Sequence, residues 1–427
     1  SSGGFFGESG FASTFGRSIY DFDNRYLLTV SARRDAISQL PEATREDNFF
    51  GGSVGWNITE EDFFNISAIN TLKLRGGWAE TGNNSFLNGV LFPALGTYAP
   101  ELYGDATAIS FNNVGNPDLR WEVTTKTNVG LDFAILDNRI SGSVDYYIGE
   151  TEDLILAAPT PPLLGIPGNP TANTINLNVG EMRNSGVEFV ISSTNLEVGD
   201  FTWTSSLNAT FQENEVLALS NDDADILGVF NVARVGEPLG AFLGWESAGV
   251  NPANGNPLYN TPDRGVIQGN PDDNSYYLYD PNNPNELTPT TALGQDDKTI
   301  IGSPIPDVYG GFTNNFSYKG FDLSVALTFA FGHQVFNGTR QNGLTNFFQN
   351  NSREILDRWT PANPNTDIPR LSLNNDNFLN LSSSLNAGNA ETRFLEDADY
   401  VRVQNITLGY NLPMSLISKL GMTMRSV

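Results

Sequence analysis

The groups able to do chemistry are few. His333 is the one histidine in 427 residues, and there is no cysteine. Thiolate metal sites are therefore excluded, and most metal and triad chemistry goes with them. The sequence contains no G-x-S-x-G, no phosphate-binding glycine loop and no H-E-x-x-H. Carboxylates are so plentiful that no pair of them is evidence of glycosidase geometry. The chain reads as a non-enzyme. Three acidic groups, "NDDAD" (221–225), "NPDDNS" (270–275) and "GQDDK" (294–298), carry enough oxygen for calcium, which takes about six to eight oxygen ligands. None has the D-x-[DN]-x-[DN]-G spacing with its downstream Glu. A loop kept in solution by its charge is the plainer reading, with loop-bound calcium left open as the one cofactor.

Aromatic rings beside amides are the other candidates. "SYYLYD" (275–280) and "NFFQN" (346–350) set Tyr276, Tyr277, Tyr279, Phe347 and Phe348 among polar loop residues. Rings take the apolar face of a sugar while amides bond its hydroxyls, so these five are the candidate substrate-binding residues. A small mini-core inside the loop would use the same residues. His333 follows a strand and enters a long loop, which suits a loop-surface role better than a ligand role.

Charge narrows the partners. The chain has 49 acidic and 23 basic residues, a net −26. That argues against nucleic acid, which demands a basic footprint. Residues 214–306 alone hold 13 acidic and 3 basic residues. No signal peptide is visible, nor any run of about 18 apolar residues that could cross a membrane as a helix. Membrane β-strands show only alternation, so this does not make the chain soluble. It opens in a glycine-rich stretch, "SSGGFFGESGF", without an initiating methionine, and reads as a fragment or a processed piece.

The elements that must position these groups are strands. In "FDLSVALTFAFG" (321–332), Leu323, Val325, Leu327, Phe329 and Phe331 alternate with Ser, Ala, Thr and Gly. "YLLTVSARR", "LKLRGGW", "NVGLDFAIL", "ISGSVDYYI", "GVEFVIS" and "FTWTSSLNATF" repeat the pattern. Their length of about 9–13 residues exceeds the usual 5–6 and suits a tilted membrane span. In "YVRVQNITLGY" the apolar parity changes between Val403 and Ile406, which predicts a bulge near Asn405 or a strand turned partly inward. Tight turns rich in Asp, Asn and Gly are expected at 22–25, 136–139, 197–200 and 318–320. Long connections alternate with them, at about 80–120, 150–180, 214–306 and 333–398. "NNSREILDRW" reads as one short helix capped by Asn351 or Ser352. Trp56, Trp78 and Tyr147, near strand ends, suit an interfacial girdle. The fold class is all-β: part of a large antiparallel transmembrane β-barrel, with short turns on one rim and long loops on the other. Leu327 is expected to face lipid and Thr328 the lumen.

The residues also resemble a known family. "RSIYDFDNRYLLTVSARRD" (17–35), "NPDLRWEVTTKTNVGLDFAILDNRISGSVDYYIGETEDLIL" (116–156), "NVGEMRNSGVEF" (178–189), "IIGSPIPDVYGGFTNNFSYKGFDLSV" (300–325) and "FLEDADYVRVQNITLGYNLP" (394–413) are similar to the barrel-forming part of SusC/RagA-type TonB-dependent receptors. These are nutrient importers of Gram-negative outer membranes. The resemblance runs nearly end to end. It implies that residues 1–427 are one partial barrel domain, with the plug, the TonB box and the first strands before Ser1 and the last strands after Val427. Barrels of this class have about 22 strands around a plugged lumen. It further implies an outer-membrane location, outer-membrane lipid around the wall, and coupling to the TonB complex through the N-terminal region. A SusD-like surface lipoprotein would act as lid, and the ligand would be an oligosaccharide or, less often, a peptide. Two rival readings remain: a soluble secreted β-protein that binds carbohydrate, and a barrel enzyme in which His333 would have to be the base.

Overall fold

The computed structural model describes residues 8–83, 94–103, 106–159, 174–219, 223–344, 350–372 and 390–412. Its frame is an eleven-stranded antiparallel sheet in strict chain order. The strands are β1 (Phe11–Phe22), β2 (Tyr26–Ile37), β3 (Glu46–Asn57), β4 (Ile69–Asn83), β5 (Glu122–Ile135) and β6 (Ile140–Pro159). They continue as β7 (Thr174–Val198), β8 (Phe201–Ala218), β9 (Val308–Tyr318), β10 (Phe321–Phe331) and β11 (Tyr400–Tyr410). Every strand pairs with its sequence neighbours, the up-and-down order of a barrel wall.

Alternation decides the faces. Cross-strand partners share a face, so Leu74, Leu131, Val144, Phe189, Phe329 and Val401 fall in one row. Phe133, Ile191, Leu207, Phe312, Leu327 and Val403 form the next row of that apolar face. The other face carries Lys73, Asp132, Ser143, Asn208, Thr328 and Arg402. There Arg75 donates to Asp132 at 3.0 Å and to Asp145 at 2.7 Å. Leu327 and Thr328 thus stand on the two faces that the alternation predicts.

In β11, Asn405 pairs with Ala326 and Val403 with Leu327, which leaves Gln404 as an extra residue. This bulge returns Val401 and Val403 to the face held by Ile406 and Leu408. All four are then outward. The expected bulge near Asn405 is present, and the strand does not turn inward.

The apolar face has a measurable height. On β8 it runs from Phe201 to Phe211 and on β10 from Phe321 to Phe331. Ten steps of about 3.3 Å at a tilt of about 45° give about 23 Å, against roughly 25 Å for an outer-membrane apolar band. Aromatic rings close its short-turn end, with Trp203 stacked on Phe316 at 5.7 Å and Phe321 against Tyr410 at 4.3 Å. Trp56 and Trp78 lie on this face as expected. Tyr147 does not. It points to the polar side over Gly186, where a Cβ would lie 2.9 Å from its hydroxyl. Its neighbour Tyr146 takes the outward position and is 50% exposed.

Beyond Tyr146, Ile148 and Phe211 the same face turns ionic, with Arg183 between Glu150 at 2.8 Å and Glu215 at 3.8 Å. Strands β6, β7 and β8 continue past this level to 20, 25 and 18 residues. They exceed the 9–13 residues expected. Residues 150–159 and 174–180 are strand, where the sequence suggested a connection over 150–180. Apolar alternation ends where the apolar band ends, so the upper strands left no periodic signal.

Because direction reverses at each strand, the connections sort by rim. The turns after β1, β5, β7 and β9 share one rim with the 58–68 connection. The strand ends at Ile37, Asn83, Pro159, Ala218 and Phe331, which lead into the other connections, share the opposite rim. The tight turns use left-handed backbone at Asp23 and Asn24 (φ 55° and 56°) and at Gly199 (φ 59°), the conformation that right-twisted hairpins favour. At the long-connection rim, Ile37, Leu40, Phe49, Leu119 and Trp121 form a buried cluster.

Candidate ligand site above the wall

The two longest connections fold together into one body. Its central strand, Ala241–Val250, pairs with Asn231–Ala233, Pro257–Thr261 and Thr299–Gly302 of the first connection. Ala390–Glu391 of the second connection adds in parallel beside Gly244 and Trp245. Gly244 is needed for that approach, since a Cβ there would lie 2.2 Å from the Ala390 carbonyl oxygen. Pro257–Thr261 continues into a meander through Gly265–Asn270, Ser275–Leu278 and Thr288–Thr290. Leu243, Leu258, Tyr259 and Ile267 are buried within it. The body is seated on the wall through Val216, whose N–H donates to Glu237 O at 3.0 Å and whose carbonyl accepts from Gly236 at 2.9 Å. Val216 packs there with Leu219 and Ala233.

Arg370 and Trp359 hold the second connection to the first. Arg370 donates to Asn256 at 3.0 Å and Asn270 at 2.9 Å, and lies 2.9 Å from Asp272. Trp359 donates its indole N–H to Pro252 O at 3.1 Å. Arg393 and Glu391 make a buried pair at 3.1 Å, and burial pushes the Glu391 carboxyl up. The motif "NPANGNP" reads as a solvated loop, yet Asn251 is fully buried. It donates to Gln268 at 3.0 Å and Pro284 O at 2.7 Å. Asx turns at Asn251 and Asn254 order the corner. Sequence reasoning missed Arg370, Trp359 and Asn251. The asparagines repeated at 251, 254 and 256 were the available signal for the last.

The candidate residues separate. Tyr276 is half-buried in the meander, and burial pushes its phenol up to about 12. Tyr277 lies on the opposite side of the same strand and accepts from the Ser275 hydroxyl at 2.8 Å. Tyr279 follows, half-buried, its N–H bonded to Val266 O at 2.8 Å. These three therefore do not form one exposed platform: Tyr276 and Tyr277 are half-buried on opposite faces of one strand. Phe347 and Phe348 lie outside the described residues. The short helix is a 3-10 turn, Arg353–Asp357, capped by Ser352.

The acidic groups are engaged with arginines. Asp225 meets Arg234 at 2.6 Å and Asp297 meets Arg264 at 2.5 Å. The Ser372 hydroxyl, with Arg370, holds Asp272 below the usual carboxylate range. Among the described residues no three carboxylate or histidine groups gather as a metal site. His333 is at the joint of β10 and the second connection, half-buried, with Nδ1 3.9 Å from Asp399. Lys298 is 6% exposed and lies 4.3 Å over the Trp245 ring. Burial pulls its ammonium down to about 8.

With wall and loop body in place, likeness to known proteins can be weighed. The profile of the family described as TonB dependent receptor-like, beta-barrel matches residues 3–264. The chain belongs to this family. It is 31% identical to TonB-dependent receptor P3 of Formosa agariphila over 97% of this chain and 40% of that protein. It is 30% identical to TonB-dependent receptor SusC of Bacteroides thetaiotaomicron over 93% of this chain and 37% of that protein. Among solved structures, the RagAB peptide transporter superposes with a TM-score of 0.78 at 25% identity, covering 96% of this chain and 42% of that chain. The chain thus spans about two fifths of the length of these relatives. SusC/RagA-type barrels are outer-membrane proteins, and the apolar face of this wall faces lipid.

Proposed function

We propose that the receptor containing this chain imports a nutrient oligosaccharide across the outer membrane, driven through TonB. The single observation that carries this reading is the joined loop body. Closing a hairpin takes a few residues, yet the described parts of 219–307 and 332–399 are built into one folded unit seated on a single rim. A unit of that kind suits capture of a ligand at a mouth. The short turns would face the periplasm and the loop body the outside. The free edges of β1 and β11 would be closed by other parts of the same polypeptide, because an unpaired edge in lipid costs several kcal/mol per group. A SusD-like lipoprotein would cover the mouth. The RagAB importer, known in open-open and closed-closed states, supports such a lid. Tyr276, Tyr277, Tyr279, Phe347 and Phe348 remain the candidate sugar contacts. Catalysis is assigned to none of these residues.

A second reading, import of peptides, is favoured by the likeness to the RagAB peptide transporter. Growth of a gene-deletion strain on defined glycans and on peptides as sole carbon source separates the two. Loss of growth on one glycan class, restored by the complete gene and abolished by an uncoupler, is the expected result. Loss on peptides alone selects the second reading, and unchanged growth and uptake on both sinks import. A tagged receptor should also recover a surface lipoprotein in mild detergent. Recovery of the receptor alone removes the lid.

A further inference from the structure

The outward face of the wall is not uniformly filled. Between β1 and β5 it holds a groove of about 560 Å³ lined almost wholly by apolar atoms. Leu28, Val54, Leu74 and Val129 form its sides, Gly76 lies in its floor, and Tyr26 and Trp56 stand at its short-turn end. A groove of that size, open along the lipid face, can seat one acyl chain.

Gly76 has no reason within the wall to be glycine. Its φ is outside the left-handed region, and a Cβ there would meet nothing closer than 3.8 Å. Glycine weakens a strand interior and marks places where another group comes close. Here it leaves a hollow that no residue of the wall enters.

The short-turn end of the groove is polar and asymmetric in charge. Glu61 accepts from the Tyr26 hydroxyl at 2.6 Å and the Trp56 indole at 2.9 Å. Arg25 lies 3.5 Å from Glu61, 3.1 Å from Asp62 and 3.4 Å from Asp23. One guanidinium thus stands among three carboxylates. The Glu61 side chain is 10% exposed, whereas those of Asp62 and Asp23 are 92% and 68% exposed. The two open carboxylates suit a cation, and the partly open Arg25 suits a phosphate.

We propose that this groove binds one ethanolamine phospholipid, with an acyl chain over Gly76, its phosphate toward Arg25 and its ammonium on Asp62 and Asp23. An anionic glycerol phospholipid would bring only negative charge to a cluster that is already net negative. The lipid comes from the periplasmic leaflet, because the polar end lies at the short-turn rim. The proposal rests on the orientation given under the proposed function but not on which nutrient is imported.

The test is native mass spectrometry of the complete receptor, delipidated and offered equal amounts of ethanolamine and glycerol phospholipid. Wild type should keep one phospholipid and prefer ethanolamine about two- to fivefold, the worth of an exposed ion pair. Gly76→Leu should lose the retained lipid while still migrating as a folded, heat-modifiable barrel. Asp62→Lys, at an exposed position, should reverse the headgroup preference. Equal retention of both lipids by wild type overturns the headgroup assignment. Undiminished retention by folded Gly76→Leu overturns the groove. A wild-type receptor that keeps no lipid but forms a dimer broken by Gly76→Leu assigns the groove to a second copy, and the proposal falls. A tag placed in the 136–139 turn reports orientation separately: labelling from outside the cell would sink the orientation, whatever the lipid result.

Discussion

Arg370 meets Asp272 at 2.9 Å, joining the second long connection to the first. The same guanidinium group bonds Asn256 and Asn270, so one side chain ties two segments that the barrel wall holds separately. Arg370→Ala should open this joint. The expected cost is only about 1 kcal/mol, since Asp272 is half-exposed and the pair is screened. Limited proteolysis should nevertheless cut residues 350–372 faster than in wild type. The Asp272 carboxyl is held below its ordinary value by Ser372 and Arg370. Its contribution is therefore complete above about pH 3.9 and is lost as pH falls through the lower folded value. Protection of 350–372 should be constant from pH 5 to 7 (about one unit or more above the ordinary carboxylate value). Loss of protection within that range would contradict the assignment.

Lys298 gives the opposite kind of prediction. Burial lowers its pKa to about 8 from 10.5, so the folded loop body disfavours the ammonium. Its contribution to stability is fullest above the unfolded value, falls as pH drops toward 8, and stays low below that. The shift corresponds to about 3 kcal/mol, offset by the Trp245 ring contact of about 1–2 kcal/mol. Lys298→Met keeps the apolar stem and removes the charge. Hydrogen exchange in 241–250 should slow by about 1–2 kcal/mol at pH 7, with the dependence between pH 8 and 10.5 abolished. Faster exchange in the variant would show that the ring contact outweighs the burial.

The wall was legible because lipid imposes a period of two. Leu323, Val325, Leu327 and Phe329 announce their face, and the parity change at Val403 and Ile406 announces the bulge. Tyr147 misled because an aromatic ring near a strand end suits a girdle, although the alternation of Val144, Tyr146 and Ile148 puts it on the opposite face. The loop body was not legible. Pro257–Thr261 is buried at four of its five positions, so it shows no alternation. The pairing of Ala390–Glu391 with Gly244 is too short and too distant in sequence to leave a pattern. Tyr276 sits in a short, half-buried strand of that body, where a ring that packs and a ring that binds leave the same sequence signal.

Leu327 shares its face with Phe312 and Val403, and Thr328 shares the other with Gly311 and Arg402. Leu327→Arg puts a charge into lipid at about mid-height and should cost about 2–4 kcal/mol. Thr328→Arg joins a polar face and should be far milder. Heat-modifiable mobility of the complete receptor compares them. Equal assembly of both variants, or the reverse order, would refute the assignment of faces.

Gln404 is the residue that absorbs the parity change in β11. Above it, Val401 and Val403 pair with Phe329 and Leu327; below it, Ile406 and Leu408 pair with Val325 and Leu323. Deleting Gln404 removes only the extra residue. Val403 keeps Leu327, Asn405 keeps Ala326, and Val401, Val403, Ile406 and Leu408 then alternate without a break on the lipid face. Deleting Thr407 instead forces a choice. With the bulge kept, Leu408 and Tyr410 turn to the polar face; with the bulge lost, Ile406 turns inward and Asn405 meets lipid. Gln404→Ser keeps the extra residue and should assemble normally. The expected outcome is a receptor lacking Gln404 that reaches the membrane in a yield close to that of Gln404→Ser, and one lacking Thr407 in much lower yield, read by heat-modifiable mobility and surface labelling. A Gln404 deletion as poor as the Thr407 deletion would mean that the seam requires the bulge itself, and the facing of Val401, Val403, Ile406 and Leu408 would then not be what decides assembly.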